Sequence, residues 1–187
     1  MIRPPARGAL LCLALLGLVA AAPAGAPSEP ATYRTEAYHA PVPHTLQGAQ
    51  VLSTAEAATL WRAKSAVFID VLSRPPRPAG LPAGTIWRPK PRFDIPGSVW
   101  LPNTGYGELA AITEDYFRHG LRDATDDDAD RTLVFYCRQD CWMSWNAARR
   151  AISLGYRHVA WYPGGTDEWA AAKLPVERRE PVPGMRD

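Results

Sequence analysis

The sequence predicts an α/β fold, in which a parallel β-sheet is covered by helices on both faces. Continuous apolar runs at residues 66–71 and 132–136 are typical of strands buried on both sides of a sheet. Helical patterns alternate with these runs along the chain, which is the arrangement of β–α units. A length of 187 residues indicates one such domain together with a targeting segment.

The first predicted helix begins at Ser53, because Ser53-Thr54-Ala55-Glu56 is a capping-box pattern followed by apolar residues at helical spacing. The strand at 66–71 comes next. Seven prolines between residues 75 and 96 then exclude a helix or a central strand. We therefore expect residues 72–92 to form a surface insertion.

The second half of the chain contains the remaining elements. A strand end at Val99–Pro102 precedes a helix over 108–120, which Gly120 is expected to close. The acidic stretch 123–130 lacks the spacing of a calcium loop, so it is predicted to be a solvated turn. The other predicted elements are a strand at 132–136, a helix at 144–154, a strand at 159–162 and a short helix at 166–172.

The N-terminal residues 1–24 have the layout of a cleaved secretory signal peptide. Two arginines precede an apolar run of about fifteen residues, and the small-residue pattern Ala22-Pro23-Ala24 follows it. A membrane span needs about twenty apolar residues, so we predict cleavage after Ala24 and no stable membrane anchor. Residues 25–45 are rich in proline and alanine and predict an extended arm, residues 46–178 the domain, and residues 179–187 a C-terminal tail.

The charge balance argues against partners that bind through bulk charge. The chain has 21 Lys and Arg against 19 Asp and Glu, and two of these arginines, Arg3 and Arg7, leave with the signal peptide. The mature protein is then formally neutral, which disfavours nucleic acid or an anionic membrane surface as a partner. Arg149 and Arg150, adjacent on a predicted helix, are expected to be solvated.

Two cysteines, Cys137 and Cys141, remain after Cys12 leaves with the signal peptide. Cys137 directly follows a predicted buried strand and precedes the helix predicted from about Ser144. This position at the C-terminal edge of the sheet provides backbone amides and the positive end of a helix dipole. The pattern predicts a reactive thiolate at Cys137.

From about Leu46 to Val176 the sequence resembles the rhodanese-like domains. The motifs that carry the resemblance are Phe68-Ile69-Asp70-Val71, Ile95-Pro96-Gly97-Ser98-Val99, Tyr136-Cys137, Ala147-Ala148, Leu154-Gly155-Tyr156, Gly164-Gly165 with Trp169, and Leu174-Pro175-Val176. The resemblance implies a sulfurtransferase of the thiosulfate sulfurtransferase class, with Cys137 accepting a sulfane sulfur and passing it on as a persulfide. The implied active-site loop comprises Arg138, Gln139, Asp140, Trp142 and Met143.

More narrowly, CRQDCW followed by MSWNAARRA resembles an exported subfamily named for a Cys-Cys-Trp motif. That subfamily is associated with PQQ-dependent alcohol catabolism. The resemblance implies a periplasmic protein of a Gram-negative cell, with components of a PQQ-dependent dehydrogenase system as partners and a small sulfur compound or thiol as substrate. Three residues separate the cysteines here, at positions 138–140.

Cys141 leaves several alternatives open. If the loop curls, residues four apart bring their α-carbons within the range of about 4.4 to 6.8 Å that a disulfide needs. The pair would then form a redox switch, or Cys141 would resolve a persulfide on Cys137. A different class is a non-catalytic binding module, in which Cys137, Cys141 and Met143 bind Cu(I), or Trp142 and Trp145 stack PQQ or another quinone. The enzymatic interpretation requires no cofactor.

Overall fold

The central sheet lies within residues 25–184, the part of the chain that this computed structural model describes. Its strands are β1 (Ala49–Val51), β2 (Val67–Asp70), β4 (Val99–Trp100), β5 (Leu133–Tyr136) and β6 (Val159–Tyr162). They are parallel throughout, in the order β1-β6-β5-β2-β4. The predicted signal peptide, residues 1–24, lies outside the described residues. Because the strands are parallel, their carboxyl ends share one edge of the sheet.

Four helices cover the two faces of this sheet: α1 (Thr54–Ala63), α2 (Ala111–Thr125), α3 (Trp142–Ser153) and α4 (Gly165–Ala171). Alternate side chains of β5 divide between the faces. Phe135 packs in the core beneath α2 and α3, whereas Val134 and Tyr136 pack beneath α1 and α4. The predicted α/β class, with a parallel sheet and helices on both faces, is confirmed.

The start of α1 shows why a local pattern predicts this element well. The Ser53 hydroxyl accepts a hydrogen bond from the Glu56 amide at 3.3 Å, and the Glu56 carboxylate accepts one from the Ser53 amide at 2.8 Å. These reciprocal bonds satisfy two amides that a helix start otherwise leaves without partners.

Several helix boundaries differ from the sequence prediction, including the start of α2, which lies at Ala111 and not at residue 108. Gly120 does not close α2, which continues to Thr125 and ends where Asp126 takes the left-handed conformation (φ 55°). A Cβ on Gly120 would lie 2.4 Å from a Leu101 side-chain carbon, so this glycine permits close packing between helix and sheet. The third helix begins at Trp142 and not near Ser144, which places Cys141 at its N-cap.

The predicted insertion contains no helix or strand between residues 71 and 91. It ends in β3 (Arg92–Asp94), which pairs antiparallel with β7 (Glu177–Arg179) in a separate two-stranded sheet. Neither short strand was predicted, because two-stranded pairing over three residues leaves no apolar periodicity in the sequence.

The acidic stretch divides between the last turn of α2 and the turn that follows. Asp127 pairs with Arg122 at 2.6 Å, and Asp130 pairs with Arg157. Within residues 25–184, no group of three or more acidic, histidine or cysteine side chains is arranged to hold a metal ion. No helix in the same range is long and apolar enough to cross a membrane.

Candidate active site

A disulfide joins Cys137 and Cys141 at the carboxyl end of β5. Their α-carbons are 6.3 Å apart, within the range that disulfide geometry requires. Cys137 is 0% exposed and Cys141 is 3% exposed. The candidate site is therefore oxidised, and neither sulfur is available as a thiolate.

The loop between the cysteines reverses direction at Asp140, whose φ of 52° is left-handed. This turn brings Cys141 back towards Cys137 and starts α3 immediately afterwards. The helix begins five residues after Cys137, and Cys141 occupies its N-cap position. The Cys141 carbonyl accepts a hydrogen bond from the Ser144 hydroxyl at 2.9 Å.

Three donors fix the backbone carbonyl of Cys137. The Thr166 amide and hydroxyl lie 3.1 and 3.2 Å from this oxygen, and Arg92 Nη2 lies 3.2 Å from it. Arg92 Nε in turn donates to Asp70 Oδ2 at 2.6 Å, and Asp70 is fully buried at the end of β2. The end of β2, the end of the insertion and the start of α4 therefore converge on the backbone of Cys137.

Sequence reasoning missed Arg92 and Thr166 as parts of this site. Arg92 ends a proline-rich segment with no periodic pattern, so nothing in the sequence indicates its inward direction. Thr166 directly follows the Gly164-Gly165 motif, and this motif is the sequence signal that could have identified it.

A buried ion pair sets the electrostatics behind Cys137. Asp70 accepts hydrogen bonds at both oxygens, from Arg92 and from the Leu72 amide at 2.9 Å. Burial raises the pKa of Asp70, and the charge of Arg92 and these hydrogen bonds oppose that rise. Burial acts to lower the pKa of Arg92, but the charge of Asp70 and the hydrogen bond to it outweigh burial and leave the pKa above its ordinary value. A fixed cation therefore lies next to the Cys137 backbone.

Asp94 is a second buried carboxyl beside this pair. Its Oδ2 has no hydrogen-bond partner among the described residues, and its Oδ1 lies 3.5 Å from Arg179 Nε. Burial, followed by the negative charge of Asp70, raises the pKa of Asp94 to about 7. The Asp94 carboxyl therefore titrates near neutral pH.

The β6–α4 connection presses directly against the loop. Gly165 has a φ of 52°, and a Cβ there would lie 2.6 Å from the Arg138 α-carbon. The Arg138 side chain is half exposed and points towards Asp167, with 3.7 Å between Nε and Oδ2. The Gln139 amide donates to the same Asp167 oxygen at 3.1 Å. Arg138 and Gln139 thus form the outer, solvent-facing part of the loop.

The N-terminal arm lies across the inner part of the loop. The Trp142 amide donates to the Tyr38 carbonyl at 2.9 Å, and the Ala40 amide donates to the Asp140 carbonyl at 3.1 Å. His39 forms an antiparallel bridge with Cys141. The arm therefore covers the disulfide and uses the first amide of α3, which the sequence had suggested would be available to a ligand.

Polar side chains of α3 anchor the arm through its backbone. Asn146 accepts from the Arg34 amide at 2.9 Å and donates to the Arg34 carbonyl at 2.8 Å. Arg149 donates to the Pro30 carbonyl at 2.8 Å.

Arg150 hydrogen-bonds to backbone outside the arm. It is only 6% exposed and donates to the carbonyls of Thr104, Tyr106 and Gly107. The prediction that Arg150 is solvated is therefore wrong, because it binds backbone carbonyls.

Trp142 and Trp145 lie side by side but buried. Their rings meet edge to face, with centroids 5.5 Å apart. The Arg34 guanidinium lies 5.3 Å from the Trp142 ring centroid, and the Arg149 guanidinium lies 5.2 Å from that of Trp145. A flat cofactor would reach these rings only after the arm moved.

The copper-ligand set of Cys137, Cys141 and Met143 exists only once the disulfide is reduced, and Met143 is also buried.

The comparison with protein families identifies the class of domain. The family model for the rhodanese-like domain matches residues 54–172, which include β5, both cysteines and the loop between them. No curated protein matches the sequence.

Several solved structures are similar to this chain. A thiosulfate sulfurtransferase from Pseudomonas aeruginosa is 16% identical, with a TM-score of 0.47, over 71% of this chain and 21% of that one. The polysulfide-sulfur transferase homodimer from Wolinella succinogenes is 18% identical, with a TM-score of 0.45, over 71% and 81%. An uncharacterized protein from Saccharomyces cerevisiae is 20% identical, with a TM-score of 0.42, over 68% and 98%.

Proposed function

The chain belongs to the rhodanese-like domain family, and we propose that it transfers sulfane sulfur through Cys137, with Cys141 resolving the persulfide. One observation carries the proposal: the structure joins the family's catalytic cysteine position to a second cysteine only four residues away. A persulfide on Cys137 would therefore have a second sulfur within reach of its inner sulfur atom.

The first step needs the reduced protein. The Cys137 thiolate attacks the outer sulfur of thiosulfate, a new S–S bond forms, the S–S bond of thiosulfate breaks, and sulfite leaves with the electron pair. The product is an anionic persulfide on Cys137, and the total charge is unchanged. The Arg92 cation beside the Cys137 backbone stabilises negative charge on the attacking sulfur and on the persulfide.

In the second step, Cys141 resolves the persulfide. The Cys141 thiol loses its proton and attacks the inner sulfur, which is Cys137 Sγ. The Cys137–Cys141 disulfide forms, and the outer sulfur leaves with the proton as hydrosulfide. This step would form the same Cys137–Cys141 bond that the structure contains.

An external dithiol closes the cycle. It reduces the disulfide by two electrons, becomes a disulfide itself, and returns Cys137 and Cys141 to thiols. The net reaction converts thiosulfate and a dithiol into sulfite, hydrosulfide, a disulfide and one proton, which is lost when the Cys137 thiol ionises again. Without a sulfane-sulfur donor, thiol–disulfide exchange with such a dithiol remains the chemistry of the site.

The cellular setting belongs to the same proposal. The N-terminal segment, residues 1–24, has the pattern of a secretory signal, and an exported protein would work in the periplasm, where disulfides persist. The Cys-Cys-Trp sequence of the loop supports an association with PQQ-dependent alcohol catabolism, whose dehydrogenase components would be partners.

Turnover assays test the reaction. We expect mature protein supplied with thiosulfate and dithiothreitol to release sulfite and hydrosulfide in equal amounts, and Cys137→Ser to release neither. Because dithiothreitol itself takes the sulfur from a persulfide, Cys141→Ser and wild type are compared in a single turnover of reduced protein freed of dithiothreitol, where we expect Cys141→Ser to form sulfite but to lose most hydrosulfide release. Equal hydrosulfide release by Cys141→Ser and wild type would rule out the resolving role. Retention of Cu(I) or PQQ by the reduced protein, with no sulfur adduct, would favour the alternative of a binding module.

A further inference from the structure

The insertion at residues 72–92 carries positive charge only. It contains five Lys and Arg residues and no Asp or Glu, although the mature chain as a whole is formally neutral. Arg77, Arg88 and Lys90 are exposed, and neither Arg88 nor Lys90 has a carboxylate partner in the part of the chain that the structure describes. The insertion is therefore a local cationic surface.

Apolar side chains lie within the same segment. Ile86 is 80% exposed, the largest exposure among the large apolar side chains of the described residues. Trp87 follows it and is half-buried, and Arg88 comes next. Tryptophan and arginine are enriched where proteins bind one another, and contacts of exposed isoleucine with water are unfavourable. The combination is typical of an interface and not of a merely solvated loop.

The insertion lies at the same edge of the sheet as the disulfide. It leaves β2 directly after Asp70, at the carboxyl end of that strand, and its last residue, Arg92, donates to the Cys137 carbonyl. Prolines limit the conformations of the segment, so less conformational entropy is lost when a partner binds. A protein bound to the insertion would therefore be held beside the cysteine loop.

We propose that the insertion, residues 72–92, is the docking surface for an acidic dithiol protein that reduces the Cys137–Cys141 disulfide. The inference rests on the proposed function only in that the disulfide must be reduced from outside. One thiolate of the partner attacks a sulfur of the pair and forms a mixed disulfide. The second thiol of the partner then resolves it, so that two electrons reach Cys137 and Cys141 and the partner leaves as a disulfide.

Reduction kinetics with two reductants test the docking surface. The charged probe is a reduced thioredoxin of acidic isoelectric point, and the uncharged probe is dithiothreitol. In a variant with Arg77→Gln, Arg88→Gln and Lys90→Gln, we expect reduction by thioredoxin to slow about tenfold at low ionic strength. Reduction by dithiothreitol should be unchanged. The difference from wild type should shrink as salt is added.

A matched variant controls for net charge. Arg62 lies in the last turn of α1, Lys64 is the C-cap of this helix, and Arg131 lies just before β5, so all three are at the opposite edge of the sheet. Replacing these three residues by Gln removes the same charge, and we expect reduction by thioredoxin to stay within twofold of wild type. Equal slowing in both variants, or in neither, would overturn the proposal.

A binding experiment separates docking from catalysis. Thioredoxin with both cysteines replaced by serine should shift the indole N–H resonance of Trp87 in NMR spectra of the oxidised protein. Ile86→Ser should weaken the binding of this thioredoxin several-fold. An unshifted Trp87 signal contradicts docking at the insertion, whatever the turnover assays show. Conversely, if the Trp87 resonance shifts but the protein forms no persulfide, the docking proposal is supported and the sulfur-transfer proposal is rejected.

Discussion

Arg92 shows how one buried side chain organises the surroundings of Cys137. Its guanidinium connects the Asp70 carboxylate, the Cys137 carbonyl and the Thr166 hydroxyl, while its backbone ends the insertion. A buried carboxylate is tolerated only with such a partner, since an unpaired charge in the interior loses its hydration without compensation.

Replacing Arg92 should therefore destabilise the domain strongly. We expect Arg92→Gln to lower the free energy of unfolding by about 3 to 5 kcal/mol, because Asp70 becomes a buried unpaired carboxylate. Urea titration measures the change. Adding Asp70→Asn should recover part of the loss, and Arg178→Gln on exposed β7 should change it by less than about 0.5 kcal/mol. If the double variant were as unstable as the sum of the single variants, the Arg92–Asp70 pair would not be the cause.

Asp94 predicts an unusual dependence of stability on pH. Its pKa rises from 3.8 when unfolded to about 7 in the native state, so the unfolded chain loses its proton first. The stabilising contribution is thus complete below about pH 4 and is lost as the pH rises through about 7, a difference on the order of 4 kcal/mol.

Asp94→Asn tests this dependence, because it replaces the titrating group among Asp70, Arg92 and Arg179 with a neutral one of similar shape. We expect the variant to gain stability over wild type at pH 8 and to lose that advantage at pH 4, as measured by urea titration at both values. An equal difference at both pH values would show that Asp94 does not titrate in this range.

At the scale of elements, the arm is the part that controls access to the disulfide. Its backbone bonds to the loop are few, and one of them runs from the Ala40 amide to the Asp140 carbonyl. Segments held by few bonds open locally at a small cost in free energy. Any reductant must wait for such an opening, because the sulfurs are buried.

Removing that bond should accelerate reduction. Ala40→Pro eliminates the amide donor, and a loss of about 1 kcal/mol raises the open population roughly fivefold. We expect dithiothreitol to reduce the disulfide of this variant about five times faster than that of wild type. Titration of the free thiols over time measures both rates. Ala40→Ser keeps the amide and should match wild type. Unchanged kinetics in Ala40→Pro would mean that the arm does not limit access.

Elements with a strong local signal were predicted well from the sequence. The capping box at Ser53 and the apolar runs of β2, β5 and β6 depend on residues within a few positions of one another. Strand β1 and the β3–β7 pair were missed, because their pairing depends on distant partners. For the same reason Cys137 was predicted as a site residue, whereas the contacts of Arg92 and of the arm became visible only in three dimensions.

For the whole molecule, the disulfide adds stability as well as chemistry. Closing the loop from Cys137 to Cys141 removes conformational entropy from the unfolded chain, worth about 2 kcal/mol for a loop this short. We expect the reduced protein, and the Cys137→Ser/Cys141→Ser variant, to unfold with a free energy lower by about that amount in urea. A reduced form as stable as the oxidised form would show that native-state strain offsets the entropy.

The trapped persulfide tests the central proposal most directly. Reduced Cys141→Ser, given thiosulfate and then freed of it, should gain one sulfur atom by intact mass, because Cys137 accepts the sulfur and nothing resolves it. Wild type treated in the same way should return to the disulfide without added mass, and Cys137→Ser should gain nothing. Sulfur bound to Cys137→Ser, or none bound to Cys141→Ser, would contradict sulfur transfer through Cys137.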